Sequence, residues 1–135
     1  MIEPGRCTRG SLKGPWALIP GLLLAAAPAL PHHAVVAYYD LNKLITLKGV
    51  VTKVEYTNPH AYVYADAAEE KGNVENWSIE TDPPNILTRN GWKRTRLKEG
   101  DRITATGYRA KDGTKSIRLQ TLTLEDGTVL RGGNS

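Results

Sequence analysis

From Leu44 onward, apolar and polar residues alternate in short runs, the period-two pattern of half-buried strands. The first run, Leu44 to Tyr56, is rich in β-branched residues and changes phase part-way along. Ile45, Leu47 and Val51 share one parity, and Val50, Val54 and Tyr56 the other. A glycine inside a strand marks a bulge or bend, so Gly49 is expected to kink this run and let one strand serve two sheet faces. Asn58-Pro59 then signals a turn. His60 to Ala67 alternates again, with small Ala61, Val63 and Ala65 on one face and Tyr62, Tyr64 and Asp66 on the other. Lys71-Gly72-Asn73 predicts a hairpin into a third strand, Val74 to Glu80, with Trp77 and Ile79 pointing inward.

Asp82-Pro83-Pro84 stops that strand. Pro84 suits a first helical turn, and Asn85 to Arg89 is expected to be a short helix ended by Asn90-Gly91, a left-handed C-terminal signal. Trp92 follows as a core anchor. Leu97 to Asp101 turns the chain into a fourth strand, Arg102 to Tyr108. Lys111-Asp112-Gly113-Thr114 makes a hairpin into a fifth, Ser116 to Leu124, and Asp126-Gly127 returns a small sixth, Thr128 to Leu130. The expected class is all-β with one short helix between the third and fourth strands. That order is the OB-fold's, a small antiparallel Greek-key barrel of five to six strands, and a bent first strand fits it. A β-sandwich is the alternative, and it explains the helix position less well. The expected division is a barrel domain over 44–131, preceded by a leader over 30–43.

The N-terminal region follows another pattern. Arg6, Arg9 and Lys13 precede an apolar run from Trp16 to Ala27, which closes on Ala27-Pro28-Ala29. A basic start, an apolar stretch and an Ala-x-Ala end describe a cleavable secretory signal peptide over 1–29. The run is shorter than the ~20 residues of a membrane span and is interrupted by proline. A periplasmic or secreted protein is expected, with no membrane span after cleavage. Of 135 residues, 106 would remain, and the net charge would fall from +4 to +2. That balance argues against a nucleic-acid partner, which needs several phosphate-neutralising cations on one face. The single cysteine, Cys7, leaves with the signal, so the mature fold would rest on its hydrophobic core.

Four stretches together resemble a bacterial family of small exported proteins classed as a domain of unknown function. They are His32-His33; Leu47-Lys48-Gly49-Val50-Val51 leading to Thr57-Asn58-Pro59-His60-Ala61; Pro84-Asn85-Ile86-Leu87 with Gly91-Trp92; and Leu97-Lys98-Glu99-Gly100-Asp101 running on to Gly107-Tyr108-Arg109-Ala110-Lys111-Asp112-Gly113. The resemblance spans nearly all of residues 32–131. It implies a periplasmic or secreted single-domain barrel of the OB type and brings no enzymatic activity with it. One departure is Leu30-Pro31, which stands before the histidine pair and tells against any role needing histidine as the first mature residue.

Candidate chemistry lies in two places. OB-folds bind ligands on strands two and three and the adjoining loops. Tyr62, Tyr64 and Asp66, rimmed by Lys111 and Lys115, are therefore the expected ligand-binding face. Its ligand would be a small molecule, a glycan or an envelope protein, with exposed aromatics stacking on sugars or bases. His32, His33 and His60 are the chain's three histidines, and imidazole suits copper or zinc. After cleavage at Ala29, an amino-terminal copper motif with His32 third is excluded, because Pro31 lacks the amide N–H it needs. The chain has no Gly-x-Ser-x-Gly, no His-Glu-x-x-His and no phosphate-cradling loop, and no pair of acids stands out as an acid/base couple. No catalytic residue is assigned. The expected function is a non-enzymatic, exported binding module. A periplasmic copper- or zinc-binding protein and an interaction subunit of an envelope assembly are the alternatives.

Overall fold

A computed structural model of the chain describes residues 32–133. The signal peptide expected over 1–29 lies outside the described residues. The elements run α1 (His32–Tyr38), β1 (Tyr39–Glu55), β2 (Tyr62–Ala68), β3 (Glu75–Glu80), α2 (Pro84–Arg89), β4 (Arg102–Ala110), β5 (Ser116–Leu124) and β6 (Val129–Arg131). Neighbours pair in the order β3-β2-β1-β4-β5-β6, and a parallel pairing of β3 with β5 closes the sheet on itself, with β6 appended beside β5. The result is an OB-like barrel whose short helix sits between β3 and β4, as the strand pattern predicts. Among the described residues no helix is long and apolar enough to cross a membrane.

The first strand corrects two expectations. It starts at Tyr39, so Tyr39 to Lys43 belong to the barrel's longest strand and the preceding residues form α1. The bulge is not at Gly49. That residue sits in regular register between Ala67 of β2 and Ile103 of β4, and the irregularity against β2 falls between Val51 and Lys53. The extra residue there, Thr52, resets the alternation, so Val51 and Val54 both reach the core. Gly49 has a different task. A Cβ on it would come within 2.2 Å of the Asp66 carbonyl oxygen, so glycine lets β1 and β2 approach closely.

Alternation fills the barrel from every strand. Leu47, Val63, Ala65, Trp77, Ile79, Ala105, Ile117 and Leu122 are all fully buried. Each large one removed from water stabilises the fold by about 1.5–3 kcal/mol. The small residues of β2 leave room for Trp77, which pairs directly opposite Ala65. After α2, the Trp92 amide returns to the Leu87 carbonyl and Gly91 takes a φ of +88°, the stop that Asn90-Gly91 predicts. That exit delivers Leu87, Trp92 and Leu97 into the core, and Trp92 Nε1 donates to the Arg131 carbonyl at 2.7 Å.

Candidate functional site

The outward positions of β2, β3 and β5 meet in a row across the strands. Tyr62 lies opposite Glu80, and Glu80 opposite Arg118. Inward Ile117 and Leu119 flank Arg118, yet Arg118 is only 4% exposed. Its guanidinium donates from Nη1 to the Thr81 carbonyl at 2.6 Å and lies 3.4 Å from Glu80 Oε1, while Nη2 donates to Asp82. A cation this buried needs such partners, because removing its water costs several kcal/mol.

Glu80 is the hub of the row. Its Oε2 accepts from the Tyr39 phenol at 2.7 Å, and its Oε1 lies 2.7 Å from His60 Nδ1. The Tyr39 oxygen also stands 3.3 Å from Ser116 Oγ. Burial, with the Glu80 charge beside it, pushes the Tyr39 phenol far above the ordinary tyrosine range, and burial raises Tyr62 as well. One carboxylate thus gathers Tyr39 from the start of β1, His60 from the β1–β2 loop and Arg118 from β5.

Above this hub lies a cleft of about 480 Å³, between α1 and the barrel wall. Val35, Tyr38 and Tyr39 line it from one side, His60, Tyr62 and Glu80 from the wall, and Asp112, Thr114 and Ser116 from the hairpin. The position is that of ligand sites in OB barrels: outside strands two and three, flanked by the loops β1–β2 and β4–β5. Lys111 fixes the roof, its Nζ donating to the Val36 carbonyl at 2.6 Å and its amide to the Tyr38 carbonyl at 3.0 Å. A hollow of about 240 Å³ by Arg96 and Asp126 is a poorer site. Four of its charged side chains are engaged with one another in the Arg96–Asp126 and Lys98–Asp101 pairs.

The face expected from sequence divides. Tyr62 lines the cleft and stacks on Tyr64, with ring centroids 6.2 Å apart and planes 23° apart. Tyr64 turns towards Glu55, to which it donates at 3.2 Å, and Lys53 lies over its ring. Asp66 accepts from Asn76 at 2.8 Å, further along β2. Lys115 pairs with Glu75 and sits 5.3 Å from the centre of the Trp77 ring. Lys111 holds α1 rather than a rim. Of the histidines, His60 reaches the cleft, with its side chain 31% exposed, and His32 and His33 occupy the start of α1. Among the described residues no three His, Cys, Asp or Glu side chains group to hold a metal ion.

Glu80, Arg118, Tyr39 and Ser116 are site residues that sequence reasoning did not select. The parity of β3 was the available signal for Glu80. With Trp77 and Ile79 inward, Glu80 has to stand outward beside Tyr62.

No curated protein and no solved structure matches the chain. A family model does match, over residues 21–118, a span that takes in α1, β1, β2, β3, α2, β4 and the hairpin that closes the cleft. The chain therefore belongs to that family of unknown function, DUF6152.

Proposed function

We propose that this chain is an exported, non-enzymatic binding module whose ligand occupies the cleft between α1 and the outer wall of β2 and β3. One observation carries the reading: the cleft coincides with the OB ligand face and is lined from both flanking loops, by His60 on one side and Asp112 and Thr114 on the other. Its volume of about 480 Å³ lies in the range of small-molecule sites, and its walls combine aromatic surface with a few fixed polar groups. Export is supported by the basic, apolar and Ala-x-Ala order of residues 6–29.

The test is amide NMR with a library of small polar and aromatic fragments. Hits are expected to shift the amides of His60, Tyr62, Glu80, Thr114 and Ser116 together. Hits that gather instead around Tyr64 and Asp66, or a library that leaves the cleft amides unmoved, would overturn the reading.

A further inference from the structure

We propose that the cleft binds an organic cation of the alkylammonium type, held against tyrosine faces in the field of Glu80 and Asp112. The proposal rests on the binding-module reading and names its ligand class.

The sign of the ligand follows from the charges around the cleft. Glu80 and Asp112 line it, and among the described residues no lysine or arginine does. Arg118 stands behind the wall and is shared, its guanidinium reaching Asp82 and the Thr81 carbonyl as well as Glu80. Three carboxylates are thus set against one guanidinium. At the roof, the Lys111 ammonium is engaged by the Val36 carbonyl at 2.6 Å. The hydroxyl and amide of Thr114 both donate to Asp112 and hold its carboxyl below the usual carboxylate range, so it is charged at neutral pH. The phenol of Tyr62 registers the same field: burial raises it first, and the Glu80 charge adds to that. An anion entering here would meet negative walls, whereas a cation is drawn in.

The kind of cation follows from how Glu80 is used. Its Oε2 already accepts from the Tyr39 phenol, and its Oε1 has His60 Nδ1 at 2.7 Å and Arg118 Nη1 at 3.4 Å. A carboxylate has about four acceptor positions, so Glu80 offers charge with little room for another N–H. A cation whose charge is spread over methyl groups needs no such acceptor, and aromatic faces attract it. The cleft supplies those from both sides. Tyr62 faces it from β2, its ring steadied by the stacked Tyr64. Tyr38 faces it from α1 and is 71% exposed, so its ring is free to close on a guest. Val35 and Ala110 add apolar surface for the alkyl part.

The experiment compares choline with 3,3-dimethylbutan-1-ol, which has the same shape with a neutral carbon in place of the charged nitrogen. Each is titrated into the processed, exported chain at pH 8, above the ordinary histidine range, and followed by amide NMR. Choline is expected to shift the amides of His60, Tyr62, Thr114 and Ser116 and to bind at least about 5-fold more tightly than the alcohol. Tyr62→Leu should weaken choline by about 2–30-fold, the span of one cation–π contact, while Tyr62→Phe keeps the ring face and the affinity. Asp112→Asn should weaken choline and leave the alcohol unchanged. Asp112 lies on an exposed hairpin, so this variant keeps the test open if Tyr62→Leu does not fold. The alcohol binding as tightly as choline, a choline affinity indifferent to Asp112→Asn, or no choline shift at the cleft would overturn the proposal. If neutral fragments still fill the cleft in that case, the binding-module reading stands and only the cation falls.

Discussion

Tyr39 donates its phenolic proton to Glu80 at 2.7 Å across 41 positions of chain, tying the strand that follows α1 to the carboxylate that orients His60. A hydrogen bond to a charged acceptor contributes about 1.5–3 kcal/mol. The Tyr39→Phe variant should lose about that much in urea denaturation at neutral pH. The same bond has a pH signature. Burial first, and then the Glu80 charge, raise the folded-state pKa of this phenol above its unfolded value near 10. Its contribution is therefore present in full below pH 10 and declines as the pH climbs towards the folded pKa. Wild-type stability should fall more steeply than that of Tyr39→Phe between pH 10 and 11. Parallel slopes would show that the phenol is not held as described.

Arg118 makes a second prediction, because its partners include two carboxylates on one edge of the barrel. Replacing it with methionine removes a nearly buried cation and leaves Glu80 and Asp82 facing one another without it. Breaking a buried ion pair from one side costs about 3–5 kcal/mol. Arg118→Met should lose that much in urea unfolding, and the triple variant with Glu80→Gln and Asp82→Asn should recover most of it. Recovery is the informative result, since it separates stranded charge from lost packing. Arg118→Lys should not rescue, because one ammonium cannot reproduce the fork that spans Glu80, Thr81 and Asp82.

Much of the barrel is visible in the residue pattern because alternation reports burial directly. The inward Val63, Ala65, Trp77 and Ile79 are all where their parity puts them. The site is less visible because it depends on register between strands far apart in sequence. That Glu80 faces Arg118 follows from the β3–β5 closure, and 38 residues separate the two. Arg118 also breaks the expectation that a charged strand residue beside inward neighbours is solvated. Its burial comes from partners on β3 and the segment after it, which no local pattern encodes. At Gly49 the pattern pointed to a real irregularity and misplaced it by three residues, since a phase change is spread over several positions whereas the extra residue occupies one.

The roof of the cleft should respond to Lys111. This exposed side chain contributes one hydrogen bond, to the Val36 carbonyl, and the Lys111 amide bond to Tyr38 survives its truncation. Lys111→Met is expected to change global stability by no more than about 0.5 kcal/mol, as surface substitutions do. Its effect should be local: faster hydrogen exchange at the amides of Val36 to Tyr39 and earlier proteolytic cutting there, with β2 to β5 unchanged. Protection of α1 that ignores the substitution would mean that the Lys111 amide bond to Tyr38 and the Tyr39 phenol anchor the segment without the side chain.

Two glycines, one inside β1 and one in the turn between β2 and β3, provide the sharpest test of the barrel itself. Gly49 is crowded: a Cβ would lie 2.2 Å from the Asp66 carbonyl oxygen and 2.5 Å from Ala67 Cα, both backbone atoms that cannot swing aside. Gly72, in the turn after β2, has open geometry, with the nearest atom 3.6 Å from an added Cβ and its amide donating to the Glu69 carbonyl. Both substitutions to alanine reduce the freedom of the unfolded chain, which by itself stabilises by about 0.4–1 kcal/mol. In Gly72→Ala nothing opposes that gain, so the variant should match or slightly exceed the wild type. In Gly49→Ala the clash dominates, since overpacking typically costs about 1–3 kcal/mol and here the strain falls on the pairing that β1 makes with β2. Urea unfolding should therefore leave Gly72→Ala at or slightly above the wild type and Gly49→Ala clearly below it. If Gly49→Ala proves as stable as Gly72→Ala, β1 and β2 do not approach as closely as this barrel requires.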